Sequence, residues 1–226
     1  MEALRKVDMY KRTVVVVEDE DLLRSLLSDS LESAGFSVAS AANAADARRV
    51  IRQIDPDAVL LDIDLGRGPN GFELAEALRK ESEGIGIVFL TSMPDPRFVG
   101  REQDSVPKNE AYLSKSLISE SRHLVDALEA VLKESGIAPY RHHELGDRPF
   151  AKLSKTQIQV LQLLAEGKTN HQIADIRERS LGATESLISR TLEALGLDTD
   201  LDANTRVTAV RKYLTVIKPN DKNSAK

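Results

Sequence analysis

The strongest constraint in this sequence is an alternation. Short unbroken apolar runs recur between stretches of helical spacing from residue 13 to about residue 133. The runs are Thr13–Val17, Ala58–Leu61, Ile87–Leu90 and the short Ala111–Leu113, and Phe36–Ala41, interrupted by Ser37 and Ser40, also reads as a strand. A run with no polar alternation has no face to give to water, so it reads as a strand covered on both sides. Between the runs, apolar residues return at helical spacing: Leu22, Leu23, Leu26, Leu27 and Leu31; then Ala47, Val50, Ile51 and Ile54; then Phe72, Ala75 and Leu78; finally Leu124, Val125, Leu128, Val131 and Leu132. Gly35 is placed to stop the first helix and Asn43 to cap the second. Five β/α units predict a parallel, doubly wound sheet with right-handed crossovers. Residues 94–109 break the pattern: three prolines and few apolar positions predict a short or irregular helix at best.

Two of the runs end in acid. Asp62 closes the run that begins at Ala58, and Glu18-Asp19-Glu20-Asp21 follows Val17. In an open parallel sheet the crevice beyond the carboxyl ends of the strands is where ligands sit. If these strands are neighbours, three or more carboxylates converge there. They cannot all stay ionised without a counter-charge, and a hard divalent cation is the expected resident.

Composition narrows the field. With no cysteine the chain has neither disulfides nor thiolate ligands. No apolar run approaches the roughly 18–20 residues of a spanning helix, and the basic N-terminus lacks a signal-peptide apolar segment. A soluble cytoplasmic protein is expected. Charge is uneven: residues 1–150 hold 19 Lys+Arg against 27 Asp+Glu, residues 151–226 hold 12 against 9. An acidic first part and a mildly basic second part suggest different partners.

Residues 136–152 carry Gly136, Pro139, Gly146 and Pro149 among charges, with His142 and His143, and read as a linker. The division expected is 1–135, 136–152 and 153–226. The last part carries only helical signals. Ser154-Lys155-Thr156-Gln157 and Thr169-Asn170-His171-Gln172 both fit a capping box. Apolar faces follow at Val160, Leu161 and Leu164; at Leu187, Ile188, Leu192 and Leu195; and at Val207, Val210, Leu214 and Ile217.

Taken in order, Glu18-Asp19-Glu20, Leu-Leu-Asp62, Leu90-Thr91-Ser92 and Tyr112-Leu-Ser-Lys115 resemble the receiver domain of bacterial two-component response regulators. The resemblance spans residues 13–133. It implies a flavodoxin-like fold and a phosphoryl group accepted by the Asp62 carboxylate from a histidine kinase. It implies Mg²⁺ held by Asp19, Asp62 and the Asp64 backbone carbonyl, with Glu18 acting through metal-bound water. Lys115 would meet a phosphoryl oxygen with compact positive charge. Thr91 and Tyr112 would be the switch pair. The chain departs from the family at Ser116, where proline is usual, so the Lys115–Ser116 bond is expected to be trans. The irregular segment 94–109 covers the family's usual output face.

Leu153-Ser154, Val160 through Asn170, Gln172-Ile173-Ala174 and Ser189 through Gly196 resemble the LuxR-type helix-turn-helix domain. That implies a recognition helix in the major groove, with Lys168, Glu185, Ser186, Ser189 and Arg190 as DNA-facing residues and a homodimer in the active state. Val210, Tyr213, Leu214 and Ile217 would supply the dimer face or pack within the molecule. Gly182 lowers helix propensity by about 1 kcal/mol relative to alanine, Glu185 repels phosphates, and Arg177 stands where an apolar residue is usual. The Leu197–Arg206 connection is long for the family.

The reading is therefore a phosphorylation-controlled transcription regulator and not an enzyme, with Mg²⁺ as cofactor and a histidine kinase and DNA as partners. Two alternatives stand beside it. One is a phospho-switched protein-interaction module whose degenerate helix-turn-helix leaves DNA alone. The other is a haloacid-dehalogenase-like phosphatase, suggested by Asp62-Ile63-Asp64 but opposed by chain order, since the acidic pair precedes the nucleophile.

Overall fold

A computed structural model describes residues 11–82, 84–118, 120–197 and 203–217. Residues 1–10 and most of the long connection after Leu197 lie outside the described residues. The chain forms two compact units. One comprises the chain through Thr91, Lys108–Leu113 and Ile118–Tyr140; the other comprises Ser92–Pro107, Ser114–Leu117 and the chain from Arg141 onward.

The first unit is built on a five-stranded sheet of order β2-β1-β3-β4-β5. The strands are β1 (Thr13–Val17), β2 (Ser37–Ala41), β3 (Ala58–Leu61), β4 (Gly86–Thr91) and β5 (Ala111–Ser114). The pairs β1–β2, β1–β3 and β3–β4 are parallel. β3 and β4 are buried throughout and β1 nearly so, as their apolar runs require; β2, with its serines, is the half-exposed edge. Helices α1 (Asp21–Ser33), α2 (Ala44–Ile54), α3 (Gly71–Glu81) and α4 (Ser121–Leu132) cover the sheet. Asn43 caps α2 by accepting from the Asp46 amide. One core holds Val14, Val16, Leu60, Val88, Leu31 and Leu128. On the alternate face Phe89 meets Phe72 at 4.7 Å and Tyr112 at 6.1 Å, centroid to centroid. Between β4 and β5 no α-helix forms; two 3₁₀ turns, Pro96–Val99 and Gln103–Ser105, take its place, as the prolines predict.

The second unit contains α5 (Lys155–Ala165), α6 (Asn170–Ile176), α7 (Leu181–Ala194) and α8 (Ala203–Ile217). Both expected capping boxes form, Ser154 with Gln157 and Thr169 with Gln172. The helices close over Ile158, Leu161, Leu164, Ile173, Ile188, Leu192 and Tyr213. The segment that follows β4 completes this core. Phe98 stacks on Tyr213 at 5.9 Å and lies 5.9 Å from Phe150. Asp95 is fully buried and accepts from Arg97 Nε (2.8 Å) and Nη2 (2.6 Å) and from Arg148 Nε (3.0 Å). Arg97 also donates to the carbonyls of Phe150 (3.3 Å) and Leu153. Phe150 holds φ at 58°, a left-handed conformation rare for a bulky residue, and so turns its carbonyl to Arg97. No helix among the described residues is long and apolar enough to cross a membrane.

Residues 136–152, expected as a linker, hold two 3₁₀ turns, and Arg141 and His143 within them are buried. Arg141 donates to the carbonyls of Val106 (3.0 Å) and Pro107 (2.6 Å). Burial, helped by the Arg141 cation, pulls the His143 pKa down to about 4. Between roughly pH 6.5 and 4 the unfolded chain binds a proton that the folded chain refuses. Stability therefore falls as pH drops through that window, by roughly 3 kcal/mol in full. His143→Gln should lose that part of the acid sensitivity, read as the difference in urea midpoints at pH 7 and pH 4.5; an unchanged difference would contradict the assignment.

Candidate functional site

The register brings the acids together. Val17 pairs with Leu61, and Leu61 with Phe89, so the residues after β1 and β3 leave the sheet side by side. The Asp62 amide donates to the Val17 carbonyl (2.9 Å) and the Glu18 amide to the Ala41 carbonyl (3.1 Å). Glu18, Asp19 and Asp62 each place a carboxylate oxygen within 4.8 Å of the others. Glu18 is 2% and Asp62 5% exposed, while Asp19 is open to solvent. Two buried carboxylates and one exposed one at this spacing need compensation. Their all-oxygen donor set, open on one side, fits a hard divalent cation that keeps some of its water. The Asp64 amide donates to Asp62 Oδ1 (3.2 Å), aiming the carboxylate; the Asp64 side chain itself is exposed.

The remaining predicted residues occupy the strand ends. Thr91 is the last residue of β4 and Tyr112 lies in β5; both are fully buried. Tyr112 is already inside, its ring beside Phe89. Lys115 directly follows β5 and opens a 3₁₀ turn, half-buried. Among the described residues no peptide bond is cis, as Ser116 after Lys115 predicts.

Gly71 belongs to the site and sequence reasoning missed it. It starts α3 under an Asn70–Glu73 capping box, and its amide donates to the Ile63 carbonyl (2.9 Å). A methyl group on Gly71 would overlap the Asp62 carbonyl oxygen and sit 2.8 Å from Ile63 Cα. These are backbone atoms, with no flexible end to yield. The clue was available: an Asn-Gly pair at a capping box puts glycine where a better helix former costs nothing. By propensity Gly71→Ala would gain up to about 1 kcal/mol; overpacking against the Asp62 peptide should instead cost about 1–3 kcal/mol. Urea denaturation reads the sign directly.

In the helical unit α6, the turn through Glu178 (φ 51°) and α7 form a helix-turn-helix. Ser180 caps α7 by accepting from the Ala183 amide. Gly182, Ser186 and Arg190 are exposed on α7, with Glu185 and Ser189 half-buried. Ser186 Oγ donates to the Gly182 carbonyl (2.9 Å), and Arg190 Nε to the Ser186 carbonyl (3.3 Å). Lys168 stands half-buried before α6, its carbonyl held by Arg206. The proposed dimer face needs correction. Tyr213 is 3% exposed and spent on Phe98 and Phe150, and Val210 and Ile217 pack against the core. Val207 (56%) and Leu214 (39%) are the apolar residues that α8 exposes.

Two families match successive parts of the chain. A family model described as the response regulator receiver domain matches residues 14–129. One described as bacterial regulatory proteins, luxR family, matches residues 151–198. The transcriptional regulatory protein DesR of Bacillus subtilis is 28% identical over 197 residues, covering 86% of this chain and 95% of DesR. The nitrate/nitrite response regulator protein NarP of Escherichia coli is 30% identical over 174 residues, covering 72% and 79%. A solved structure of RcsB from Salmonella enterica serovar Typhimurium, bound to a promoter in the presence of phosphomimetic BeF3-, superposes with a TM-score of 0.54 at 18% identity. It covers 88% of this chain and 98% of that one. At that identity the likeness speaks for the fold alone.

Proposed function

Since the chain belongs to the two-component response regulators, with a receiver domain followed by a LuxR-family domain, we propose that it accepts a phosphoryl group on Asp62 from a histidine kinase and answers by controlling transcription. The observation that carries this reading is the buried Asp62 carboxylate at the end of β3, with Glu18 and Asp19 within 4.8 Å. In this reading residues 1–135 receive the phosphoryl group and residues 153–226 give the output, joined through 136–152.

Asp62 is the nucleophile. One of its oxygens forms the new O–P bond as the bond from phosphorus to the kinase imidazole breaks, leaving an acyl phosphate. Glu18 and Asp19 with Asp62 would hold Mg²⁺. When bound, that ion supplies positive charge against the negative oxygens of the carboxylate and the phosphoryl group. Lys115 adds a second positive charge to a phosphoryl oxygen. Thr91 donates a hydrogen bond to the product, the local event that would be read at a distance. The Asp64 amide orients the carboxylate. The chain acts as a phosphoryl acceptor and works in the cytoplasm.

In the helical part, α7 enters the major groove with Glu185, Ser186, Ser189 and Arg190, and Lys168 meets phosphate. Two copies pair through the exposed Val207 and Leu214 of α8. The LuxR-family match weighs against a pure protein-interaction module, and the receiver match weighs against a phosphatase. Incubation with acetyl phosphate and Mg²⁺ should add the mass of one phosphoryl group, mapped to Asp62. Gel shifts on genomic fragments should then strengthen and fall off with salt. No adduct would sink the receiver reading; adduct without retardation at low salt would sink the DNA reading.

A further inference from the structure

The loop that carries two of the three acids has a weak start to its helix. Glu20 is the N-cap of α1 and makes no side-chain capping bond. Within the loop the Glu20 amide donates to Glu18 Oε1 over a long 3.4 Å. The grip comes from one turn further on. Arg24 Nη1 donates to the Glu18 carbonyl (2.8 Å) and reaches the Asp19 carbonyl (3.5 Å), while Nη2 pairs with Asp21. The Arg24 side chain is only 19% exposed. Its backbone is itself engaged: its amide donates to the Glu20 carbonyl (2.9 Å) and its carbonyl accepts from Ser28 Oγ (2.8 Å).

We propose that Arg24 is a positioning residue for the acidic centre, spacing Glu18 and Asp19 against Asp62 through their backbone carbonyls. The inference rests on the metal-binding reading above. Arg24 has two effects of opposite sign. Its charge repels a cation bound nearby, and its fork fixes two of the residues that would hold one. Asp21 offsets the charge and solvent screens it. The hydrogen bonds act on the peptides that carry the ligands: Nη1 serves the carbonyls while Nη2 is anchored on Asp21, a two-ended arrangement that a single ammonium nitrogen cannot reproduce. Positioning therefore outweighs repulsion.

The test is Mn²⁺ binding to the full chain, followed by loss of the free-ion paramagnetic resonance signal. It compares wild type, Arg24→Lys and Arg24→Gln, each checked for a cooperative thermal melt. Both variants should bind Mn²⁺ about tenfold more weakly, the lower end of what supporting residues around metal ligands contribute. Amide exchange at residues 18–20 should rise in both. A role through charge alone gives a different pattern, Arg24→Gln tighter than wild type and Arg24→Lys unchanged, and overturns the proposal. Wild-type affinity in both variants overturns it too. Failure of the wild type to bind Mn²⁺ overturns the acidic-centre reading itself, and this inference with it.

Discussion

Arg97→Ala should destabilise the helical unit by about 3–5 kcal/mol, because it strips one partner from a buried ion pair. Asp95 is fully buried, and its acceptor bonds from Arg97 come through the amide (3.0 Å), Nε and Nη2. Burial alone would push the Asp95 carboxyl upward; the guanidinium of Arg97, helped by Arg148, reverses that and holds it below the ordinary carboxylate range. Its contribution is thus present above the unfolded pKa and is lost as pH falls toward the folded one. In Arg97→Ala the Asp95 charge keeps Arg148 and the residue-97 amide but loses the adjoining guanidinium, and the Phe150 and Leu153 carbonyls lose a donor. Lys155 provides the contrast. Its 2.8 Å pair with Glu102 is half open to water, so Lys155→Ala should cost under about 1 kcal/mol. The measurement is amide exchange of α5 and α8 under native conditions, which reports the free energy of opening that unit by itself. A loss below 1 kcal/mol for Arg97→Ala would contradict the account.

Asp62→Asn should abolish phosphoryl labelling outright and, in chelator, make the protein more stable. The amide cannot form an acyl phosphate. It also removes one of three negative charges gathered within 4.8 Å, which at an effective dielectric between about 20 and 80 relieves roughly 2–7 kcal/mol of repulsion. The bond from the Asp64 amide survives, since the Asn oxygen accepts as well. Mg²⁺ should then reverse the order. It stabilises wild type in proportion to its occupancy and leaves the variant nearly unmoved. Thermal melts of both proteins with and without Mg²⁺ give the four values needed. A variant less stable than wild type in chelator would mean the carboxylates are not in conflict. Sites that trade stability for function behave in this crossed way.

Much of this was legible in the sequence because its signals are local. Unbroken apolar runs gave β1, β3 and β4, since a strand covered on both faces tolerates nothing else. Capping boxes at Ser154 and Thr169 gave helix starts to the residue. The convergence of Glu18, Asp19 and Asp62 followed from two strand ends and a guess of adjacency. What escaped has no periodicity. Asp95 and Arg97 form a buried ion network with Arg148, about fifty positions away, and a partner that distant leaves no local signal. Arg141 and His143 sat in linker composition and are buried all the same. Tyr213 shares the helical spacing of α8 with exposed residues, and its burial depends on Phe98, which is distant in sequence. The Asn70-Gly71 pair hinted at a constraint, but its cause is the Asp62 peptide packed where a side chain would stand, a long-range contact.

The residues from Ser92 to Pro107 stand, in the order of the chain, inside the receiver match, yet they furnish the interior of the helical unit. Anyone grafting this LuxR-type module onto another sensor by splicing near residue 140 would leave behind Phe98 and the Asp95–Arg97 pair, and would be transplanting a shell without its filling. The transferable cassette is discontinuous: it consists of the C-terminal helices together with the insert that follows the fourth strand.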